Sequence, residues 1–487
     1  MSYLALDLGA GSGRAIVGTI SDGKVHLEEV HRFNNTLIQQ DDTLCWDFLS
    51  LFENIKLSIS LAVRKGYDLK GIAVDTWGVD FGLLDKSNNL LSNPVCYRDS
   101  RTEGLSEKSA KCISKEELYS ITGIQQMDIN TIFQLWSMRR SDSPHLSNAN
   151  RLLFTPDLIN YFLTGVMGNE YTIASTSQLL NARTKEWSAG VFKAMDIPAD
   201  IMGKILQPCT LLGGLTKQVS EETGAKGVKV FVVGSHDTAS AIAAIPGKGN
   251  NWAFLSSGTW SLLGTLNDEP ILTQEAMTND FTNEGGVDNK ILFMRNITGL
   301  WLLQRIIGEW EKEGLNTSYD YILSESSKAE PFRCIVNSDD PVFNNPSSMK
   351  EAIQAYCSRS GQHIPETQGE LVRCILESLA IKYYYVMDRL KKCSGKDFTK
   401  LYVVGGGSQN EQLNQYIADA LDIEVVNGLT EATAVGNVIQ QAIADEKISG
   451  WEEAYEIIEN SFNFKSYYPE DTGKWKDTAQ NVSHLFK

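Results

Sequence analysis

The sequence predicts an α/β protein of two lobes, each a mixed sheet flanked by helices, with a central cleft. Three observations carry this. At 487 residues the chain is too long for a single core. A glycine-punctuated strand, turn, strand signal occurs twice, from Leu4 to Gly18 and from Ala253 to Gly264. Strand patterns then alternate with helical ones, the mark of an α/β fold. The turn-rich run from Pro246 to Asn251 is the best boundary, giving lobes at residues 1–245 and 246–487.

In chain order, Val25 to Phe33 is a third strand, and Phe52, Ile55, Ile59, Ala62 and Val63 recur at helical spacing until Gly66 closes the segment. Leu69 to Asp75 reads as a buried strand. Thr155 to Gly165 is a helix opened by Pro156 and ended by glycine. Gly227 to Gly234 is a β-branched strand, and Ser235 to Ile245 a helix with polar residues at its start. In the second half, helical patterns cover Leu300 to Glu311 and Glu370 to Leu390. A strand from Leu401 to Val404 runs into Gly405, Gly406 and Gly407, with a helix from Glu411 to Leu421 after them.

Composition excludes several functions. Forty-four basic against 61 acidic residues give a net charge of −17, which repels nucleic acid and anionic membranes. No apolar run approaches the roughly 20 residues that span a bilayer. The N-terminus lacks a basic leader and already reads as a strand, so a cytoplasmic location is expected. Eight dispersed cysteines without a C-x-x-C pair support neither a zinc site nor a disulfide framework, although Cys357 and Cys374 could sit on facing helices.

Turns of this kind bring backbone N–H groups close to phosphate oxygens, because glycine has no Cβ in the way. Asp7 ends the first strand, where a carboxylate can hold Mg²⁺ through water; the competing reading is a hairpin turn that uses Asp and Gly for geometry alone. The second turn, Ser256 to Thr259, offers hydroxyls and amides, and Gly405 to Gly407 could lie against a nucleotide. Neither cluster ends in the Gly-Lys-Ser/Thr of a P-loop.

Asp237 is the sharpest single residue. In the first turn of a helix its anionic form is favoured, and it could take the proton of a hydroxyl that attacks a γ-phosphate. Alternatively Ser235 or Asp237 is an N-cap. Asp75, Trp77, Gly78 and Asp80, and Tyr97, Arg98, Asp99 and Arg101, form two clusters suited to a polyol, with carboxylates and guanidinium for hydroxyls and an aromatic face for the ring. A core Trp77 with solvated charges is the alternative.

Asp7-x-Gly9 with Arg14, Asp75 to Gly78, Tyr97-x-Asp99-x-Arg101-Thr102, Pro156-Asp157 with Leu163 to Gly165, Gly234 to Thr238, Ser257 to Thr259 and Gly405 to Gly407 together resemble the FGGY carbohydrate kinases. The resemblance extends over nearly the whole chain and implies the actin-like (ribonuclease H-like) fold. It implies ATP-dependent phosphorylation of a small-molecule deoxyketose at its 1-hydroxyl, L-rhamnulose ahead of L-fuculose, with ATP and Mg²⁺ required. A non-catalytic actin-like nucleotide binder is the rival from another class.

Carried over by residue, the resemblance makes Asp237 the proton acceptor. Gly78, His236, Thr238 and Asn296 would contact the sugar, alongside the cluster residues Asp75, Trp77 and Arg101. Ala10, Gly11, Ser12, Gly13, Arg14, Thr259, Gln304 and Gly406 would contact ATP, and Asp7 the metal. The sugar would lie mainly on the first lobe and ATP on the second. One departure is the segment Thr131 to Trp136, where many members carry a lysine. No nucleic-acid or membrane partner is expected, and a monomer is favoured over an oligomer.

Overall fold

A computed structural model describes residues 1–486. The chain folds as two compact units. The first contains residues 1–246, 266–293 and 431–463, and the second contains 247–265, 294–430 and, of the described residues, 464–486. One crossing between them falls at Pro246–Gly247, and two later segments return to the first unit.

The sheet of the first unit is built on the N-terminal hairpin. Strand Ser2–Leu8 pairs antiparallel with Ser12–Ser21, which pairs antiparallel with Lys24–Asn34. On its other side Ser2–Leu8 pairs parallel with Leu69–Thr76, and that strand pairs parallel with Lys229–Val232. Thr210–Gly214 closes the order in antiparallel sense. The crossover between the two central strands is the helix Phe48–Arg64. Asp47 caps it by accepting the Ser50 N–H at 3.0 Å, and it buries Phe48, Leu51, Ile55, Ile59 and Ala62. These residues join Leu4, Leu6, Val17, Ile72 and Val74 in one apolar core.

The second unit repeats this pattern. Trp252–Ser257 pairs antiparallel with Trp260–Asn267 and parallel with Lys400–Val404, which pairs parallel with Glu424–Asn427, and Lys465–Tyr467 adds an antiparallel edge. Antiparallel, parallel, parallel, antiparallel is therefore the pairing sequence around both hairpins. The helix read at Glu370 to Leu390 is longer, Gln368–Ser394, because Thr367 and Glu370 form a reciprocal capping box that starts it two residues upstream.

The segment 431–463 belongs to the first unit because its helix Ala432–Ala444 lies on the first sheet. Gln441 donates to the Leu4 carbonyl at 3.0 Å, and Gly18 makes room for Val438, which a Cβ would meet at 2.6 Å. The same helix crosses Asp237–Ala243 at Gly436, where a Cβ would lie 1.8 Å from the Ser240 carbonyl oxygen. That oxygen is backbone, so it cannot swing aside. Gly436→Ala is expected to lower stability by about 1–3 kcal/mol, the cost of overpacking a fitted contact, measured as a lower urea midpoint at an unchanged slope.

Candidate active site

Asp7 and Asp75 stand directly opposite each other in the parallel register, at the carboxyl ends of adjacent central strands. The next strand in the sheet leads to the third carboxylate. Thr76 donates its N–H to the Ser235 carbonyl at 2.8 Å, so His236 and Asp237 emerge beside those two strand ends. Three acidic side chains thus share one partly desolvated place, and each is harder to ionise for it. Burial pushes Asp7 up to about 6 against the pull of Arg14, with Asp237 adding to the rise. Burial and then the Asp7 charge hold Asp75 well above the usual range. Burial also raises Asp237, opposed by His236.

The surrounding side chains compensate this charge. Arg14, opposite Asp7 on the hairpin, pairs with Asp7 and with Glu431. Asn437 donates to Asp75 Oδ2 at 2.5 Å, while Asp75 Oδ1 is buried without a partner among the described residues. His236 places Nδ1 3.2 Å from Glu284 Oε2 and Nε2 3.5 Å from Asp237 Oδ1. Burial works against its protonation, but Glu284, with Asp237 and Glu170 beside it, raises its pKa overall.

Asp237 is the first residue of its helix rather than its cap. His236 occupies the N-cap position and makes no side-chain cap bond. Asp237 Oδ1 accepts the Thr238 N–H at 2.6 Å and the Thr238 hydroxyl at 3.2 Å. Its Oδ2 makes no hydrogen bond to another described residue, and the side chain is 32% exposed. One oxygen is fixed and the other is open, which suits a proton acceptor.

Two buried polar groups hold this loop. Glu170 caps the helix Tyr171–Ser175 by accepting from the Thr172 and Ile173 N–H groups, and it accepts the Ser235 N–H at 3.1 Å. Gln440 accepts the Gly234 N–H at 2.6 Å. Burial pushes Glu170 up to about 7 despite those hydrogen bonds.

The two polyol-type clusters are placed differently. After Asp75 the chain folds sharply at Val79, whose φ of 69° is strained for a β-branched residue, and the Asp80 N–H donates to the Gly78 carbonyl at 2.9 Å. Thr176 and Thr131 hold Val79 through its N–H and carbonyl. Asp80 is turned into the core, where Oδ2 accepts from the indoles of Trp46 and Trp77 at 2.7 and 3.0 Å. Trp77 is buried against Trp46. Arg101 reaches Gln134 at 2.7 Å, and Gln134 in turn donates to Asp80. Arg101 lines a cavity with Cys45, Phe81, Met138 and His145, and none of the three clustered carboxylates borders it. Gln134 comes from the segment that departs from the common lysine pattern.

In the second unit the turn residues also converge. Thr259 donates to Gln304 Oε1 at 2.8 Å, and the Gly299 N–H donates to the Thr259 carbonyl at 3.1 Å. Gly405 has φ 83° and faces the Ser257 carbonyl, which a Cβ would approach to 2.9 Å. Gly407 abuts the Ser257 hydroxyl, where a Cβ would come to 2.1 Å. Gly406 meets nothing within 4 Å, so no packing among the described residues requires glycine there. Ala10 to Gly13 form the turn and first strand residues of the other hairpin, closed by the Gly9 N–H on the Ser12 carbonyl at 3.0 Å. Asn296 lies on the strand Ile291–Thr298.

Glu284, Glu431, Asn437, Gln440 and Glu170 were not among the residues expected from sequence. Only Glu284 carried a local signal, the Asn-Glu-Gly-Gly run of residues 283–286. The others reach the site from sequence distances that no local pattern spans.

Comparisons with known proteins show the family. The profile of the FGGY family of carbohydrate kinases, N-terminal domain, matches residues 2–244, and the C-terminal domain profile matches 253–444. A protein named rhamnulokinase from Bacteroides thetaiotaomicron is 43% identical over 97% of both chains, and one of that name from Bacillus subtilis is 37% identical over 97% of this chain and 96% of its own. Among solved structures, xylulose kinase from Rhodospirillum rubrum superposes with TM-score 0.82 at 16% identity, covering 100% of this chain and 98% of that one. Glycerol kinase from Plasmodium falciparum with ADP gives 0.81 at 15%, covering 100% and 97%.

The three adjacent glycines differ in what surrounds them: Gly405 and Gly407 are hemmed in by Ser257, and Gly406 faces open space. Gly405→Ala is expected to lower the melting temperature. Gly406→Val is expected to leave it within about 1 °C, since exposed changes alter stability little, and to raise the KM for ATP. Differential scanning fluorimetry and steady-state kinetics check the pair.

Proposed function

The chain belongs to the FGGY family of carbohydrate kinases and is a sugar phosphotransferase that uses ATP; within that activity we propose L-rhamnulose as the acceptor and its 1-hydroxyl as the attacking group. The relatives named rhamnulokinase support the choice of sugar, at 37–43% identity over nearly the whole chain. The observation that carries the chemistry is Asp237, with one oxygen fixed by Thr238 and the other free.

In this reading Asp237 Oδ2 accepts the hydroxyl proton as the oxygen attacks the γ-phosphorus, and the ADP leaving group departs. The desolvated setting that raises its pKa makes the carboxylate a better base than a solvated aspartate. His236, oriented by Glu284, holds Asp237 from one side and offers polar contact to the sugar together with Thr238 and Gly78. Asn296 is a further candidate for contact with the sugar. Thr259, Gln304 and Gly406 contact ATP, as do Ala10 to Arg14. In phosphoryl transfer such positioning and charge stabilisation are most of catalysis.

The carboxylate cluster fits Mg²⁺, since Asp75 Oδ1 is a buried oxygen with no partner among the described residues and Asp7 stands beside it. Asp7, with Asp75 behind it, would hold the ion through water. When bound, Mg²⁺ neutralises charge on the phosphates.

Asp237→Ala is expected to lower kcat by about 10²- to 10⁴-fold with ATP binding nearly intact, and near-normal turnover would remove Asp237 from the mechanism. Because the base works ionised, kcat/KM falls as pH drops through its pKa. The acid limb is expected above the ordinary aspartate value of about 3.9, and to be absent from the residual activity of Asp237→Ala. An ADP-release assay over a ketose panel tests the acceptor. A kcat/KM for L-rhamnulose below that for L-fuculose or xylulose overturns it.

A further inference from the structure

The cavity that Arg101 lines belongs wholly to the first unit, and no member of the carboxylate cluster borders it. It lies between the hairpin of Leu37–Gln40 with Thr43–Trp46, the segment 91–95 and the end of helix Thr131–Arg140. Its volume of about 590 Å³ falls within the roughly 300–1,000 Å³ of small-molecule sites. Of the five N–H donors on a guanidinium, Arg101 spends one on another described side chain, the neutral Gln134 Oε1 at 2.7 Å. We propose that this cavity is a second ligand site, in which Arg101 holds a small polyol carrying one oxyanion, a sugar phosphate or a sugar acid.

The charge on Arg101 is unmet because the neighbouring carboxylates are occupied. Asp99 accepts the Leu44 N–H at 2.8 Å and the Arg101 backbone N–H at 3.0 Å. Asp80 accepts from Trp46, Trp77 and Gln134. Neither forms an ion pair with the guanidinium. The guanidinium does act on the Cys45 thiol, which borders the same cavity, so its charge lies at that wall. Its spare nitrogens are not sealed inside protein. A half-buried planar fork with free donors and no counter-ion suits an oxyanion, which it binds through paired charge-assisted hydrogen bonds.

The rest of the lining selects a hydroxylated body over a bare anion. Thr43, Ser92 and Ser143 bring side-chain hydroxyls that make no hydrogen bond to another described residue. Asp41, exposed at the hairpin tip, also borders the cavity and repels an anion that carries nothing else. A polyol answers both features, since its hydroxyls donate to Asp41 and exchange hydrogen bonds with the three protein hydroxyls. Phe81 and Leu83 give an apolar wall for its carbon chain.

The test is isothermal titration of the full chain, without nucleotide, against sorbitol, gluconate and sorbitol 6-phosphate, which share one carbon skeleton. One equivalent of a charged probe is expected to bind, with sorbitol at least about tenfold weaker. The tighter of the two charged probes assigns the oxyanion as carboxylate or phosphate. Arg101→Gln is expected to weaken that probe at least about tenfold. Ser143→Glu, which adds a negative charge at the cavity, is expected to weaken it too while keeping kinase turnover, which shows that the fold survives. Ser143 makes no side-chain cap bond, so its helix start loses nothing. His236→Ala, in the catalytic loop, is expected to leave the affinity within about twofold, as for independent sites. No binding of either charged probe, or sorbitol binding as tightly, overturns the site. Affinity lost in His236→Ala but unchanged in Ser143→Glu puts the probe at the catalytic loop and overturns it as well.

Discussion

Asp7 and Asp75 face each other across a parallel strand pair, with Asp237 arriving from the third strand of the same sheet. Like charges in low dielectric repel strongly, so the arrangement persists only with compensation nearby. The compensation comes from both ends of the first unit's chain. Arg14 sits across the hairpin from Asp7, and Asn437, which donates to Asp75, comes from a segment more than 400 residues after the first strand. The return of residues 431–463 to the first unit is therefore part of building the site. Without that helix, Asp75 would lose its hydrogen-bond donor and the loop before Asp237 would lose the anchor at Gly234.

Burial divides the remaining acidic residues by task. Asp80 and Glu170 have their oxygens saturated by indole, amide and hydroxyl donors, and they fix backbone at Tyr97 and at Ser235. Asp237, by contrast, keeps one oxygen free and partly exposed. The difference is one of hydrogen-bond count rather than residue type. A carboxylate that accepts several short N–H bonds has no lone pair left for a substrate proton, whereas a half-satisfied one does.

Glycine shows the same division. Gly405, Gly407 and Gly436 are required by neighbouring protein atoms, and Gly406 by none of those described. In sequence the run Gly405 to Gly407 reads as one turn. What each absent Cβ would touch separates Gly406, which faces open space, from the glycines that leave room for the chain.

The sequence by itself determined the local elements and their order. The Gly-rich hairpins, the Phe48–Arg64 helix and the Pro156-started helix all stand where periodicity and turn residues put them, because those signals act within a few residues. It also determined the family, since the motif residues are contiguous. Tertiary structure alone decided that Trp77 serves Asp80 inside the core and that Arg101 faces a separate cavity. It likewise decided that Glu170 and Gln440 hold the loop before Asp237, that Glu284 meets His236 and Asn437 meets Asp75, and that three scattered cysteines meet. Each of these depends on strand register and helix packing between residues tens to hundreds of positions apart. Such pairings are set by which apolar faces bury together, and no local spacing records them.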